Sequence, residues 1–304
     1  MPASELRVRL QHGLRDFTLY SDDIGSRGRR ARVREIARNL AIGVGATRLW
    51  GEPIQFVYRG YTIPLDLAEM TGAADESWED IGFAHLGYYQ RWTPISPDTS
   101  FLEIGCGIGR DAILLAGLMS SRGRYVGIDI TRPSIEWCRR NITRRHPNFE
   151  FHALDVKSPM YNPTGSVSNT TVRFPVEDDS VDRVALHSVF THMFEDDIAH
   201  YLEEIARVMR PDALLLASFF VFDDESLAAA DRQDGPLTFR HEWDATTRVN
   251  DPDHPEAAIA YSLDTIERIA DKAGLRVVSV NRGFWTGAHP DAPNGQDVLI
   301  LERA

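Results

Sequence analysis

Phe101-Leu102-Glu103-Ile104-Gly105-Cys106-Gly107-Ile108-Gly109-Arg110 is the stretch that decides the fold. Phe101 to Ile104 reads as a short buried strand, and three glycines at alternate positions follow at once. Arg110 to Met119 then reads as a helix. Such a helix start carries free N–H groups and a partial positive charge. The glycines let backbone approach a ligand without a Cβ clash.

The same texture continues downstream. Tyr125 to Ile128 reads as a second strand, and Asp129 ends it, twenty residues past Gly109. A carboxylate there is placed to accept the hydroxyls of a ribose. Ser134 to Arg144 reads as a helix, Phe149 to Leu154 as a third strand, and Val181 to His187 as a fourth. Ile198, Tyr201, Leu202, Ile205 and Met209 recur at helical spacing, and Pro211 is expected to stop that helix. Leu214 to Val221 is a continuous apolar run, as in a central strand covered on both faces. A polar stretch follows to Tyr261. Leu263 to Ala273, closed by Gly274, reads as a last helix. Leu275 to Val280 and Val298 to Leu301 read as the last strands. Alternating strands and helices imply crossover units, hence an α/β, doubly wound, mainly parallel sheet. Ligands of such sheets sit at the carboxyl ends of the strands, near the switch point.

Residues 1–95 read differently, as a mostly helical N-terminal extension or cap. A helix is expected over Arg30 to Trp50, weakened by Gly43 and Gly45, and Ile54 to Tyr58 is a short β-like run. Asp75 to Asp80 is acidic, and the aromatic segment Phe83 to Trp92 is suited to cover a cleft. The second domain is expected over 96–304, with a lid-like insertion at about 222–261.

The chain has 304 residues, 43% hydrophobic and 26% charged, enough apolar material for a sizeable core. No apolar run approaches the roughly 20 residues that span a bilayer, so no membrane partner is expected. Met1 to Gln11 has no signal-peptide core, which gives the expectation of a cytoplasmic protein. The net charge of −12 argues against nucleic-acid partners. Arg27, Arg29, Arg30, Arg32, Arg34 and Arg38 form a local basic cluster, read as a solvated face or as a subunit or anion contact. Cys106 and Cys138 form neither a disulfide framework nor a zinc pattern.

The glycine turn alone leaves readings open. A nicotinamide-binding turn wants glycine where Arg110 stands, and it leaves Glu103 unexplained. A turn without any ligand is the bland alternative. With its surroundings, however, the segment resembles the class I S-adenosylmethionine methyltransferases. Glu103, Gly105, Gly107 and Gly109 match the E-x-G-x-G-x-G turn that wraps the methionine part of that family's cofactor. Asp129, followed by Ile130, matches the ribose-binding acid, and Asp155-Val156 the pair that contacts adenine. Phe174 to Asp182, Ser188-Val189-Phe190-Thr191-His192-Met193 and Glu204 to Pro211 extend the likeness from about Thr99 to the C-terminus. The Ser-Val-Phe-Thr-His-Met block, with Tyr161-Asn162-Pro163 and Gln296-Asp297, is similar to a bacterial small-molecule subgroup. One departure is Pro211-Asp212-Ala213, where the family has Pro-Gly-Gly. The resemblance implies a Rossmann-like seven-stranded sheet, S-adenosyl-L-methionine as cofactor, and cofactor contacts at Glu103, Gly105, Cys106, Gly107, Gly109, Arg110, Asp129, Ile130, Asp155, Val156 and Ser188.

Methyl transfer asks the protein to align an acceptor, exclude water and, for a hydroxyl, remove a proton. His192, just past the fourth strand, is the catalytic base candidate, because histidine as a class titrates near neutrality; packing at the strand–helix junction is its structural alternative. Arg110 is suited to the cofactor carboxylate or to a nearby acid. Tyr88, Tyr89, Trp92, Phe190, His241, Trp243 and Trp285 are candidates to line the acceptor pocket. Asp223, Asp224, His241, Glu242, Asp244, Asp253 and His254 show no compact ligand spacing, so no metal is expected. The expectation is an O-methyltransferase of a small molecule, a sugar or secondary metabolite, with a homodimer possible. N- or C-methylation of a small metabolite, or a non-catalytic S-adenosylmethionine-binding module, are the alternatives.

Overall fold

The computed structural model describes residues 48–49, 52–72, 77–232 and 237–304. Two compact units are distinguished, Met1–Asp75 and Glu76–Ala304. Among its described residues the first holds four short strands, β1 (Arg48–Leu49), β2 (Glu52–Pro53), β3 (Gln55–Tyr58) and β4 (Tyr61–Pro64), and helix α1 (Leu65–Glu69). β1 pairs with β2 and β3 with β4, both antiparallel. The helix expected over Arg30 to Trp50 lies outside the described residues except at Arg48–Leu49, which is a strand.

The units divide at Asp75/Glu76 rather than near residue 95. Helix α2 (Ser77–Trp92) belongs to the second unit, because its Tyr89 packs edge-on against Phe101 of the first central strand. That unit continues with β5 (Ser100–Ile104), α3 (Arg110–Leu115), β6 (Arg124–Asp129), α4 (Arg132–Cys138), β7 (Phe149–Ala153), β8 (Val181–Leu186), α5 (Glu195–Val208) and β9 (Met209–Phe219). Next come β10 (Val221–Phe222), α6 (Asp224–Arg232), β11 (His241–Asp244), β12 (Thr247–Val249), β13 (Ile259–Ser262), α7 (Leu263–Lys272), β14 (Leu275–Asn281) and β15 (Asp297–Arg303).

Seven strands form the central sheet in the order β14-β15-β9-β8-β5-β6-β7. β5 through β9 are parallel, whereas β15 runs antiparallel to β9 and β14 antiparallel to β15. The chain winds outward from β5 through β6 to β7, then returns to place β8 on the other side of β5. The switch point therefore lies between β5 and β8, and the crevice above their carboxyl ends is the expected ligand site. This is the Rossmann-like fold of the class I methyltransferases.

Burial follows the patterns in the sequence. α5 turns Ile198, Tyr201, Leu202, Ile205 and Val208 into the core. It ends at Val208, three residues before Pro211, because Met209 already starts β9 and the chain is extended through the proline. The insertion at 222–261 is folded rather than irregular. β11, β12 and β13 make a small sheet with β10, in the order β10-β13-β12-β11. Phe220, Ala230, Phe239, Ala258, Ala260 and Trp285 form its own core. Buried Asp297 secures it, accepting N–H groups from Val221 (2.7 Å), Gly283 (2.8 Å) and the Trp285 indole (2.8 Å). Among the described residues no helix is long and apolar enough to cross a membrane.

Candidate active site

The glycine turn hangs on the end of the neighbouring strand. Gly105 and Cys106 both donate backbone N–H to the Ile128 carbonyl, at 2.8 and 3.2 Å. Gly105, Gly107 and Gly109 have φ of 79°, 51° and 78°, a region that an L side chain enters only with strain. A Cβ on Gly105 would stand 2.5 Å from Val189 Cγ2, and one on Gly109 2.5 Å from Ile142 Cδ1. Gly105 thereby lets the turn lie close to the loop after β8, and Gly109 lets it lie close to Ile142.

Asp129 closes the crevice. Its Oδ2 accepts the Gly107 N–H at 2.7 Å and its Oδ1 the Thr131 N–H at 2.6 Å. Two backbone donors fix the carboxylate, and each oxygen keeps a further lone pair for a hydroxyl donor. Glu103 takes another part. Tyr125 donates its hydroxyl to Glu103, and both are buried beneath the turn. Burial, reinforced by the charge of Asp111, pushes the Glu103 carboxyl well above its ordinary range despite the Tyr125 bond.

Arg110 gives the most pointed signal. Its side chain is only 12% exposed, yet among the described residues Nε and Nη1 have no hydrogen-bond partner. The nearest carboxylate oxygen, Asp111 Oδ1, is 3.8 Å away, and the guanidinium lies over the Trp78 ring at 5.8 Å. A buried guanidinium lacking two partners is costly unless an anion completes it. Glycine turn, ribose-suited acid and unsatisfied guanidinium together fit S-adenosylmethionine, whose methionine end carries a carboxylate and whose nucleoside carries two hydroxyls.

The remaining predicted contacts divide. Ser188 leaves β8 at φ 56°, unusual for a residue with a side chain. It is held there by its N–H bond to Ser218 Oγ at 2.7 Å and by Gln296, which donates to its hydroxyl. Asp155 is exposed and accepts from the Ser166 hydroxyl, whereas Val156 is buried in the main core. Ile130 packs against that core. Cys106 is buried, and burial first of all pushes its thiol well up, as expected of a small inert side chain in the turn.

His192 sits in a short turn, Phe190–His192, and Tyr161 meets its ring edge-on at 6.2 Å. Its Nδ1 lies 2.9 Å from the Glu256 carbonyl, which can only accept. Nδ1 is therefore the donor in this contact, which leaves Nε2 facing away from the Glu256 carbonyl.

The aromatic candidates fall in different settings. Phe190 is core, fully buried against Phe219 and Tyr201. Trp285 is committed to Asp297 and the core of the insertion. Tyr89 is sealed in, with its hydroxyl engaged by two polar groups. Tyr88 donates its hydroxyl to the Pro293 carbonyl at 2.8 Å. His241 and Trp243 are exposed on β11, where Trp243 packs on Phe194.

Sequence reasoning missed a cluster formed by His85, Tyr89, Asp111 and His187. His85 Nδ1 lies 2.8 Å from Asp111 Oδ2, to which the Tyr89 hydroxyl also donates at 2.6 Å. His187 Nε2 lies 2.9 Å from the same hydroxyl, and the two imidazoles stack at 3.5 Å. Burial alone would push the Asp111 carboxyl up, but His85, His187 and Arg110 outweigh it and hold it well below the usual range. The available signal was the four-residue spacing of His85 and Tyr89, which places both on one helix face.

Residues 102–217 match the family model described as "Methyltransferase domain". The chain is 30% identical over 207 residues, 68% of its length, to an uncharacterized 37.1 kDa protein in transposon TN4556 of Streptomyces fradiae; it spans about half of that relative, 51%. It is 23% identical over 241 residues to O-methyltransferase cnsE of Penicillium expansum, covering 71% of this chain and 74% of that one. The PH0226 protein of Pyrococcus horikoshii OT3 shares the fold at a TM-score of 0.50 and 14% identity, over 75% of this chain and 92% of its own.

Proposed function

We infer that this chain, which carries a methyltransferase domain over residues 102–217, transfers the methyl group of S-adenosylmethionine to a small molecule, at a hydroxyl. The observation that carries the reading is the buried Arg110 guanidinium, two of whose nitrogens lack a hydrogen-bond partner among the described residues, beside a left-handed glycine turn tied to Asp129. The cofactor is S-adenosylmethionine, and when bound it supplies an electrophilic methyl on sulfonium, so no nucleophile of the protein is needed.

The chain's own residues then have three tasks. Gly105, Gly107 and Gly109 admit the methionine portion and Arg110 pairs its carboxylate. Asp129, held by the Gly107 and Thr131 N–H groups, accepts the ribose hydroxyls, and Asp155 and Val156 flank the adenine side. Proton removal from the acceptor hydroxyl falls to a histidine at the exit of β8. His192 is the one that its place after the fourth strand singles out, and the Glu256 carbonyl fixes its tautomer.

The likeness to an O-methyltransferase of Penicillium expansum supports hydroxyl over amine or carbon acceptors. The test is release of S-adenosylhomocysteine from S-adenosylmethionine with a panel of phenols, sugars and amines. Turnover confined to hydroxylated acceptors is expected. Turnover of amines alone would move the reading to N-methylation, and cofactor binding with no turnover at all would make the chain a binding module.

A further inference from the structure

Ile104 of β5 pairs in register with Leu186 of β8. The residues that follow, Gly105 and His187, therefore leave the sheet side by side at the switch point. His187 thus stands at the lip of the cofactor turn, five residues before His192.

Its environment dictates its protonation geometry. Asp111 is a carboxylate, so its Oδ2 only accepts, and it takes the single hydroxyl proton of Tyr89. The Tyr89 oxygen then has only lone pairs to offer, and His187 Nε2 must donate its proton to it. The remaining ring nitrogen, Nδ1, has no hydrogen-bond partner among the described residues, and His187 as a residue is half-buried. Burial, then the neighbouring His85, push the His187 imidazole well below its ordinary titration, which favours a lone pair on Nδ1.

A metal ion is the competing use of His85, Asp111 and His187, whose donor atoms lie within 4.8 Å of one another. The stacking argues against it. Imidazole lone pairs lie in the ring plane, and these two planes are 7° from parallel with centroids 3.5 Å apart. An ion at the usual metal–nitrogen distance of about 2.1 Å from both rings would sit about 1.7 Å out of each plane, roughly 55° off the lone-pair axis. The contacts of 2.6–2.9 Å are hydrogen-bond distances within a proton network.

We propose that His187 is the general base of the reaction, taking the acceptor's hydroxyl proton at Nδ1, with Tyr89 and Asp111 as positioning residues. The proposal rests on the methyltransferase reading above and gives His187 the role that the sequence gave to His192. In the step, the acceptor oxygen forms a bond to the methyl carbon as the sulfur–methyl bond breaks. The bonding pair goes to sulfur and the hydroxyl proton to Nδ1. The resulting imidazolium keeps its Nε2 proton on Tyr89, and the Asp111 carboxylate offsets the new charge one bond farther on.

Three measurements test it. The first is nitrogen-15 NMR of the imidazole rings, with His187→Gln for assignment. The expected result at pH 7 is a neutral His187 protonated on Nε2, a preference lost in Tyr89→Phe. A His187 protonated on Nδ1, or charged at pH 7, would overturn the proposal. The second is turnover with a hydroxylated acceptor. His187→Gln is expected to lower kcat roughly 10²–10⁴-fold while leaving S-adenosylmethionine affinity within a few-fold. Tyr89→Phe should lower kcat less and displace the acid limb of the pH profile, an effect that a merely structural Tyr89 would not produce. A loss confined to His192→Gln returns the role to His192 and overturns the proposal. So does stoichiometric cobalt(II) uptake that disappears in His85→Gln and His187→Gln. If the wild type turns over no acceptor, the functional reading fails, and the NMR result alone decides whether the network exists.

Discussion

The Gly107 N–H donates to Asp129 Oδ2 at 2.7 Å, joining the turn after one central strand to the acid that ends the next. Loop and acid are thereby held as one rigid cradle before any ligand arrives. Such preorganisation lowers the ordering cost of binding.

Asp129→Ala should remove both the ribose acceptor and the brace on Gly107. Hydrogen bonds to a charged group contribute roughly 1.5–3 kcal/mol, so S-adenosylmethionine affinity should fall about tenfold to a hundredfold. Calorimetric titration checks this, and unchanged affinity would remove Asp129 from the site.

Arg110→Gln should weaken S-adenosylmethionine and S-adenosylhomocysteine, which carry the amino-acid carboxylate, but not methylthioadenosine, which lacks it. Competition binding with the three nucleosides reads the difference. Equal losses for all three would mean that Arg110 meets no carboxylate.

Gly109→Ala should cost about 1–2 kcal/mol for placing a side chain in the left-handed region. The added methyl also meets Ile142 Cδ1, a flexible end that can yield. In a domain of this size each kcal/mol lowers Tm by about 2–4 °C. Thermal melts measure the fall, and cofactor affinity should drop with it.

His187 also gives stability a pH dependence. Its titration is depressed in the folded protein, first by burial. The unfolded chain therefore takes up that proton first as pH falls below about 6.5. The contribution is present above that pH and drains away below it. His187→Gln should flatten the fall of Tm between pH 6.5 and 5; an unchanged slope would show that other groups set it.

The fold was legible because its signals are local. Apolar runs, helical spacing and the glycine turn each report on a few neighbouring residues, and the central sheet follows from their order. Boundaries were less legible. β9 begins at Met209, inside what reads as helix, because pairing with β8 outweighs helical propensity at its start. The insertion reads as loop because it is polar, yet its small core draws on Phe220 and Trp285, distant in sequence. In the site, Asp129 and Arg110 could be named from their place after a strand and a turn. The His85–Asp111–His187 cluster could not, since it is assembled from α2, α3 and the end of β8, and no spacing along the chain encodes their meeting. Phe190, Tyr89 and Trp285 look like pocket aromatics in sequence because an aromatic ring serves core and pocket alike.

The most direct test of the account is calorimetric titration of the purified protein with S-adenosylmethionine, S-adenosylhomocysteine and NADH. Micromolar binding of the first two and none of NADH is the predicted result. Binding of NADH alone, or of none of the three, would contradict it.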